Sequence, residues 1–278
     1  MKIKKYSGEI VEFDKEKLIK SLMNAGSERG VAEQILFEIT PQLHEGITSK
    51  KIARLAFQKL KSRSKALAAR YNLKSGLIAL GPAGFYFEKF IARLFELQGF
   101  QTRSNVFVDG NCVSHELDVV VKKDNHLAMV ECKFHSGQEI KSDVKVPMYI
   151  LSRFNDVNRN QYRFFETDEQ LTKCWIVTNN KFTSEAIKFA ECSGIHLLSW
   201  DYPQEKNVKN LTQEFRLYPI TCLTTLTIAE KELLLLQDIL TVYDLTHHPK
   251  KFKKLRISQS RMKNILTECQ QLLHKNIE

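Results

Sequence analysis

The chain has 278 residues, enough for about two domains, and its 43% hydrophobic content allows ordinary buried cores. A net charge of +10, from 42 Lys and Arg against 32 Asp and Glu, favours a polyanionic partner, with nucleic acid the economical choice if a phosphodiester site is present. No apolar run approaches the roughly 20 residues that span a bilayer. Met1-Lys2-Ile3-Lys4-Lys5 is not followed by a signal-peptide core, so a cytoplasmic protein with no membrane association is expected. The six cysteines, Cys112, Cys132, Cys174, Cys192, Cys222 and Cys269, are scattered with no CxxC pair, which points to neither a disulfide framework nor zinc.

Residues 1–80 read as a small domain. Ile3-Lys4-Lys5-Tyr6 and Glu9-Ile10-Val11-Glu12-Phe13 predict a hairpin turned at Ser7-Gly8. Asp14 is placed to cap a helix carrying Leu18, Leu22 and Met23, and Val31 to Leu36 starts another. Thr48 or Ser49 caps a third, with Ile52, Leu55, Ala56 and Leu60 on one face. A fourth holds Ala66 to Tyr71.

The hairpin with Gly8, then Phe13-Asp14-Lys15-Glu16-Lys17-Leu18, Ile47-Thr48-Ser49-Lys50-Lys51-Ile52 and Ala69-Arg70-Tyr71, resembles the ATP-cone domain, the nucleotide-binding regulatory module of ribonucleotide reductases and related regulators. The resemblance implies that Lys5 and Lys17 meet the phosphates of ATP or dATP acting as effector. Members usually carry Lys-Arg-Asp before the glycine, where this chain has Lys5-Tyr6-Ser7. That change removes a bidentate phosphate fork. Two readings stand: a nucleotide-binding domain, and a retained fold used for packing or DNA contact.

Ala79-Leu80-Gly81-Pro82-Ala83-Gly84 marks a boundary, since two glycines and a proline within it end helices. The connector is short, so nucleotide binding is expected to be felt at the next domain. A helix from Phe85 carries Phe87, Phe90, Ile91, Leu94 and Phe95 as its apolar stripe, with Glu88 off centre. Gln101 to Val108 reads as a first strand, Asp109-Gly110-Asn111 as a turn, and the second strand runs through Val121. Lys122 to His126 turns the chain into Leu127-Ala128-Met129-Val130-Glu131-Cys132-Lys133. Residues two apart on a strand share a face, so Glu131 and Lys133 project side by side, and Asp118 is expected to meet Glu131 across the hairpin. Cys132 faces away. Two acids beside a lysine suit a hard divalent cation such as Mg²⁺ or Mn²⁺, and with it phosphodiester hydrolysis. The bland alternative is a set of solvated strand-edge pairs.

Gly84-Phe85-Tyr86-Phe87-Glu88, the amphipathic helix to Gly99-Phe100, Glu116-Leu117-Asp118 and Glu131-Cys132-Lys133 together resemble the Mrr-type restriction endonuclease domain of the PD-(D/E)xK superfamily. The resemblance implies that Asp118 and Glu131 bind the metal, that Glu88 is the acid supplied by the first helix, that Lys133 is the catalytic lysine, and that DNA is the substrate.

Past Lys133, His135 lies in a loop at the strand end as a candidate phosphate contact. A helix from Asp143 to about Arg153, with Pro147 in its first turn, puts Lys145, Tyr149 and Arg153 on one side, either for phosphate and sugar or as a solvated face. Asn155 to Gln170 reads as a polar loop on the DNA side. Cys174 to Thr178, a helix from Ser184 to Cys192 and Ile195 to Trp200 form a strand–helix–strand unit suited to a parallel pair, as Mrr-type domains have after their hairpin. The tail is helical, and its run Lys250, Lys251, Lys253 and Lys254 is a candidate phosphate-backbone contact.

The expected architecture is therefore α/β. A small α+β ATP-cone-like domain at 1–80 precedes a restriction-endonuclease-like mixed sheet flanked by helices at 84–203, and a basic helical extension follows at 204–278. The leading function is a metal-dependent DNA endonuclease of restriction or defence type, gated by ATP or dATP. The alternative is a non-catalytic, nucleotide-sensing DNA-binding regulator, and the metal chemistry leaves an RNA substrate open. Cutting two strands suits a homodimer on DNA.

Overall fold

Alternation at the N-terminus becomes an antiparallel hairpin of β1 (Lys2–Lys4) and β2 (Ile10–Glu12). Gly8 turns it at φ 88°, which glycine adopts without a Cβ penalty. In the computed structural model the described residues are 1–5, 7–81, 84–137, 140–248, 252 and 255–274. They fall into two units, Met1–Gly76 with Tyr218–Glu278, and Leu77–Leu217.

In the first unit, α1 (Lys15–Met23) starts where the Asp14 carboxylate accepts the Lys17 N–H at 3.0 Å. Then come α2 (Arg29–Ile39), α3 (Ser49–Arg63) capped by Thr48, α4 (Lys65–Tyr71) capped by Ser64, and α5 (Leu73–Ile78). Leu18, Leu22, Ile35, Ile39, Ile52, Ala56 and Leu60, spaced at helical intervals, make one core with Ile3 of the hairpin. Each large side chain in it contributes about 1.5–3 kcal/mol of burial.

The second unit opens with α6 (Phe85–Leu97), followed by β3 (Gln101–Asp109), β4 (Ser114–Lys123), β5 (His126–Lys133), β6 (Lys141–Ser142) and α7 (Lys145–Val157). After β7 (Gln161–Tyr162) and β8 (Glu169–Gln170) come β9 (Lys173–Thr178), β10 (Lys181–Phe182), α8 (Ser184–Cys192), β11 (His196–Leu198) and α9 (Val208–Glu214). The main sheet has the order β11-β9-β5-β4-β3. Its β3, β4 and β5 are antiparallel, while β5, β9 and β11 are parallel, with α8 as the crossover. Phe87, Phe90 and Leu94 of α6 are fully buried, and the helix lies against β3, β4 and β5. Val120, Met129, Ile150, Val157, Cys174, Ile176 and Ala186 form a core shared by the sheet, α7 and α8. Helix α7 runs one turn past Arg153, and Pro147 sits in its first turn, where a missing N–H costs little. The stretch expected as a loop contains the small antiparallel pair β7–β8.

Beyond Leu217 the chain rejoins the first unit through α10 (Ile228–Leu235), α11 (Val242–His247) and α12 (Gln259–Leu273). Glu268 of α12, fully buried, accepts the Thr224 and Thr225 N–H groups at 2.7 and 3.0 Å, and Arg261 takes Glu230 with both terminal nitrogens. Among the described residues no helix is long and apolar enough to cross a membrane.

Candidate active site

The β4–β5 ladder runs from Lys123 opposite His126 to Val119 opposite Val130. One step further, where Asp118 faces Glu131, a side chain replaces the backbone ladder. Asp118 Oδ2 accepts the Cys132 N–H at 2.7 Å. From there β5 continues along β9, with Glu131 opposite Ile176 and Lys133 opposite Thr178. The period of two keeps Glu131 and Lys133 on one face, Lys133 exposed and Glu131 with 16% of its side chain accessible.

A cation already sits on Glu131. Arg153 Nη1 donates to Glu131 Oε2 at 2.7 Å, and its Nη2 donates to the Glu116 carbonyl. Sequence spacing groups Arg153 with Lys145 and Tyr149 on or near one face, and the Arg153 guanidinium carbon does lie 5.9 Å from the Tyr149 ring centroid. Lys145 and Tyr149 are exposed, but Arg153 lies between the buried Ile150 and Val157 and turns inward, because a half-buried carboxylate recruits a fork that matches it.

The carboxyls feel one another. Burial first, then the charges of Asp118 and Glu116, push Glu88 up to about 7. Glu131 is likewise pushed up to about 7 by burial and then Asp118, with Glu88 adding to the rise while Arg153 and Lys133 oppose it. Asp118 is raised by burial against the pull of the Cys132 N–H and Arg153. Gly84 at φ 79° gives Glu88 its room, since a Cβ there would lie 3.3 Å from Glu88 Oε1. The donors are all hard oxygens with excess negative charge, which fits Mg²⁺ or Mn²⁺ rather than a soft metal. Among the described residues, no three His, Cys, Asp or Glu side chains are drawn together as a ready ligand set; the acids are neighbours rather than converged on one point. The Cys132 thiol is pushed well up by burial, in keeping with a packing role.

His135 is fixed rather than free. Its Nε2 lies 2.9 Å from Ser142 Oγ, its N–H donates to Asn179 Oδ1, and its carbonyl accepts from Asn179 Nδ2, both at 2.8 Å. Burial, then Lys133, lower its pKa. Asn180 Nδ2 donates to the Gly137 carbonyl at 2.5 Å. The two buried asparagines therefore brace the loop that follows β5. The sequence alone gives these two asparagines no role, although Asn179-Asn180 directly after an apolar strand is the visible signal.

In the first unit Lys5 pairs with Glu9 at 2.9 Å on the surface, and Lys17 is exposed. Lys250, Lys251, Lys253 and Lys254 lie outside the described residues.

Residues 1–74 match the ATP cone domain, 82–202 the restriction endonuclease family of Mrr type, and 218–273 the AF1548-like C-terminal domain. An uncharacterized protein of Archaeoglobus fulgidus is 43% identical over 133 residues, 48% of this chain and 71% of its own length. The crystal structure of AF1548, a protein of unknown function, is similar with a TM-score of 0.56 at 33% identity, covering 68% of this chain and 97% of that one. The chain thus belongs to the AF1548-like family, with an ATP cone domain followed by a restriction-endonuclease-like domain.

Proposed function

We propose that the protein is a metal-dependent endonuclease that hydrolyses phosphodiester bonds in DNA, and that its ATP cone domain makes the activity answer to ATP or dATP. The observation that carries this reading is the placement of Asp118 and Glu131 as neighbours where the β4–β5 ladder opens, with Lys133 on the same face of β5 as Glu131. Asp118 and Glu131, with Glu88 from α6, would hold Mg²⁺ or Mn²⁺, which supplies Lewis-acid polarisation of the phosphoryl oxygen and a more acidic water.

The remaining work falls to side chains. Lys133, exposed at the strand end, donates a hydrogen bond to the attacking water or to the charge developing on phosphate. Arg153 orients the Glu131 carboxylate through its 2.7 Å bond. Asp118 stays in place through the Cys132 N–H. Lys145 and Tyr149 present donors to the DNA backbone, which is also the role of Lys250, Lys251, Lys253 and Lys254. His135, braced by Asn179 and Ser142, sets the loop beside Lys133. Lys5 and Lys17 meet the effector's phosphates.

The test is cleavage of plasmid and linear DNA with Mg²⁺, Mn²⁺ or EDTA, with and without ATP or dATP. Activity should need metal and disappear in Glu131→Ala and Lys133→Ala while both remain folded. Robust cleavage by both variants sinks the assignment. No change in cleavage rate or melting with either nucleotide removes the regulatory part. The second reading, a nucleotide-sensing DNA-binding protein without catalysis, draws on Arg153 already sitting on Glu131; absence of divalent-metal binding by calorimetry would favour it.

A further inference from the structure

Strand β3 is an edge strand of the main sheet, and on it Phe107 is 73% exposed. A single exposed apolar side chain is ordinary. Its surroundings are not. Phe107 borders an open groove of about 780 Å³ whose opposite wall is the segment from Arg159 to Phe164. Tyr162 and Phe164 stack there with centroids 5.3 Å apart, Phe164 is anchored against the core, and the Tyr162 hydroxyl donates to the Asp109 carbonyl at 2.9 Å. Arg159 and Arg163 are exposed along the same wall, and neither is paired with an acid among the described residues. The Asp109 carboxylate is occupied, accepting from Ser114 Oγ at 2.5 Å.

The groove begins next to the acids. Phe107 pairs across the sheet with Glu116, two residues before Asp118 on β4. An exposed aromatic ring beside unpaired guanidiniums is what a nucleic-acid strand meets when its bases are splayed, the ring taking a base plane and the arginines taking phosphates. A closed duplex hides its base planes in the stack. It has nothing to offer Phe107.

We propose that this groove holds an unpaired segment of the nucleic-acid strand, with a base against Phe107 and its phosphates on Arg159 and Arg163. The inference rests on the nuclease reading and narrows it: the preferred substrate is DNA with a single-stranded flank or opened strand rather than blunt duplex.

The test is fluorescence anisotropy of the full-length protein in EDTA with three labelled probes: a short single strand, a blunt duplex, and that duplex carrying a single-stranded tail. Wild type should bind the strand and the tailed duplex more tightly than the blunt one. Phe107→Ala should weaken binding to the first two by about 5- to 100-fold and leave the blunt duplex unchanged, while Phe107→Trp keeps the affinity. Arg159→Ala with Arg163→Ala should lower the slope of log affinity against log salt by about 1.4 for single strands. All three residues are exposed, and circular dichroism verifies the fold of each variant. Unchanged affinity in Phe107→Ala, an equal loss on blunt duplex, no binding of any probe by wild type, or a changed oligomeric state with unchanged affinity overturns the proposal. Because the readout needs no cleavage, binding as expected without hydrolysis refutes the nuclease reading alone, and hydrolysis with indifferent groove variants refutes the groove alone.

Discussion

Replacing Glu131 by Gln should make the metal-free protein more stable at alkaline pH while abolishing hydrolysis. Burial beside Asp118 and Glu88 raises the Glu131 carboxyl from 4.5 to about 7 in the folded state. Between those values the folded chain holds more protons than the unfolded one, so stability falls as pH rises through this window and the cost is complete above about 7. The shift corresponds to at most about 3 kcal/mol, and glutamine removes it while keeping an oxygen for Arg153. Both tryptophans, Trp175 and Trp200, lie in the Leu77–Leu217 unit, so their fluorescence reports the unfolding that matters. Urea titrations in EDTA at about pH 5 and pH 8 should give curves close together at the lower pH and a gain for Glu131→Gln of up to about 3 kcal/mol at the higher. A variant that is less stable at pH 8, or a gap independent of pH, would refute the electrostatic account of the site.

Asp118→Asn keeps an oxygen for the Cys132 N–H, so its stability should stay within about 1 kcal/mol of wild type while cleavage is lost; unfolding of the variant would show that the carboxylate is structural. Glu268→Ala leaves the part-buried Thr224 and Thr225 N–H groups without their acceptors, a loss of about 1–3 kcal/mol readable as a lowered Tm, and an unchanged Tm would contradict it. Gly76→Ala sets helix propensity, a gain of about 1 kcal/mol, against a Cβ that would lie 2.8 Å from the Cys222 Cβ and 3.0 Å from its backbone. Backbone cannot yield as a side chain does, so a net loss of about 1–3 kcal/mol is expected. A more stable variant would show that the contact relaxes.

Local pattern carried much of the architecture. Asp14 and Thr48 cap helices as their side chains predict, the helix from Ser184 to Cys192 has the expected bounds, and the period of two places Glu131 with Lys133. What escaped sequence reading depends on reach and on distant partners. The i, i+4 spacing that groups Arg153 with Tyr149 says nothing of a long side chain bending back to a buried carboxylate. The polar composition of 155–170 hides Tyr162, Phe164 and Phe165, which pack against the core and give that stretch a fixed shape. The tail's apolar clusters are visible in sequence, but their membership of the N-terminal unit is set by contacts such as Thr221 to Gly76 and Lys61 to Thr224. No local periodicity encodes such pairs.

The most direct measurement is the single-turnover cleavage rate of tailed DNA by wild type, Glu131→Gln and Lys133→Met at saturating protein, with Mg²⁺ and with EDTA. Wild type should hydrolyse DNA only with metal, and both variants should be slower by about a hundredfold or more while still folded and still binding DNA. Equal rates in all three proteins, or hydrolysis that persists in EDTA, would contradict the nuclease reading.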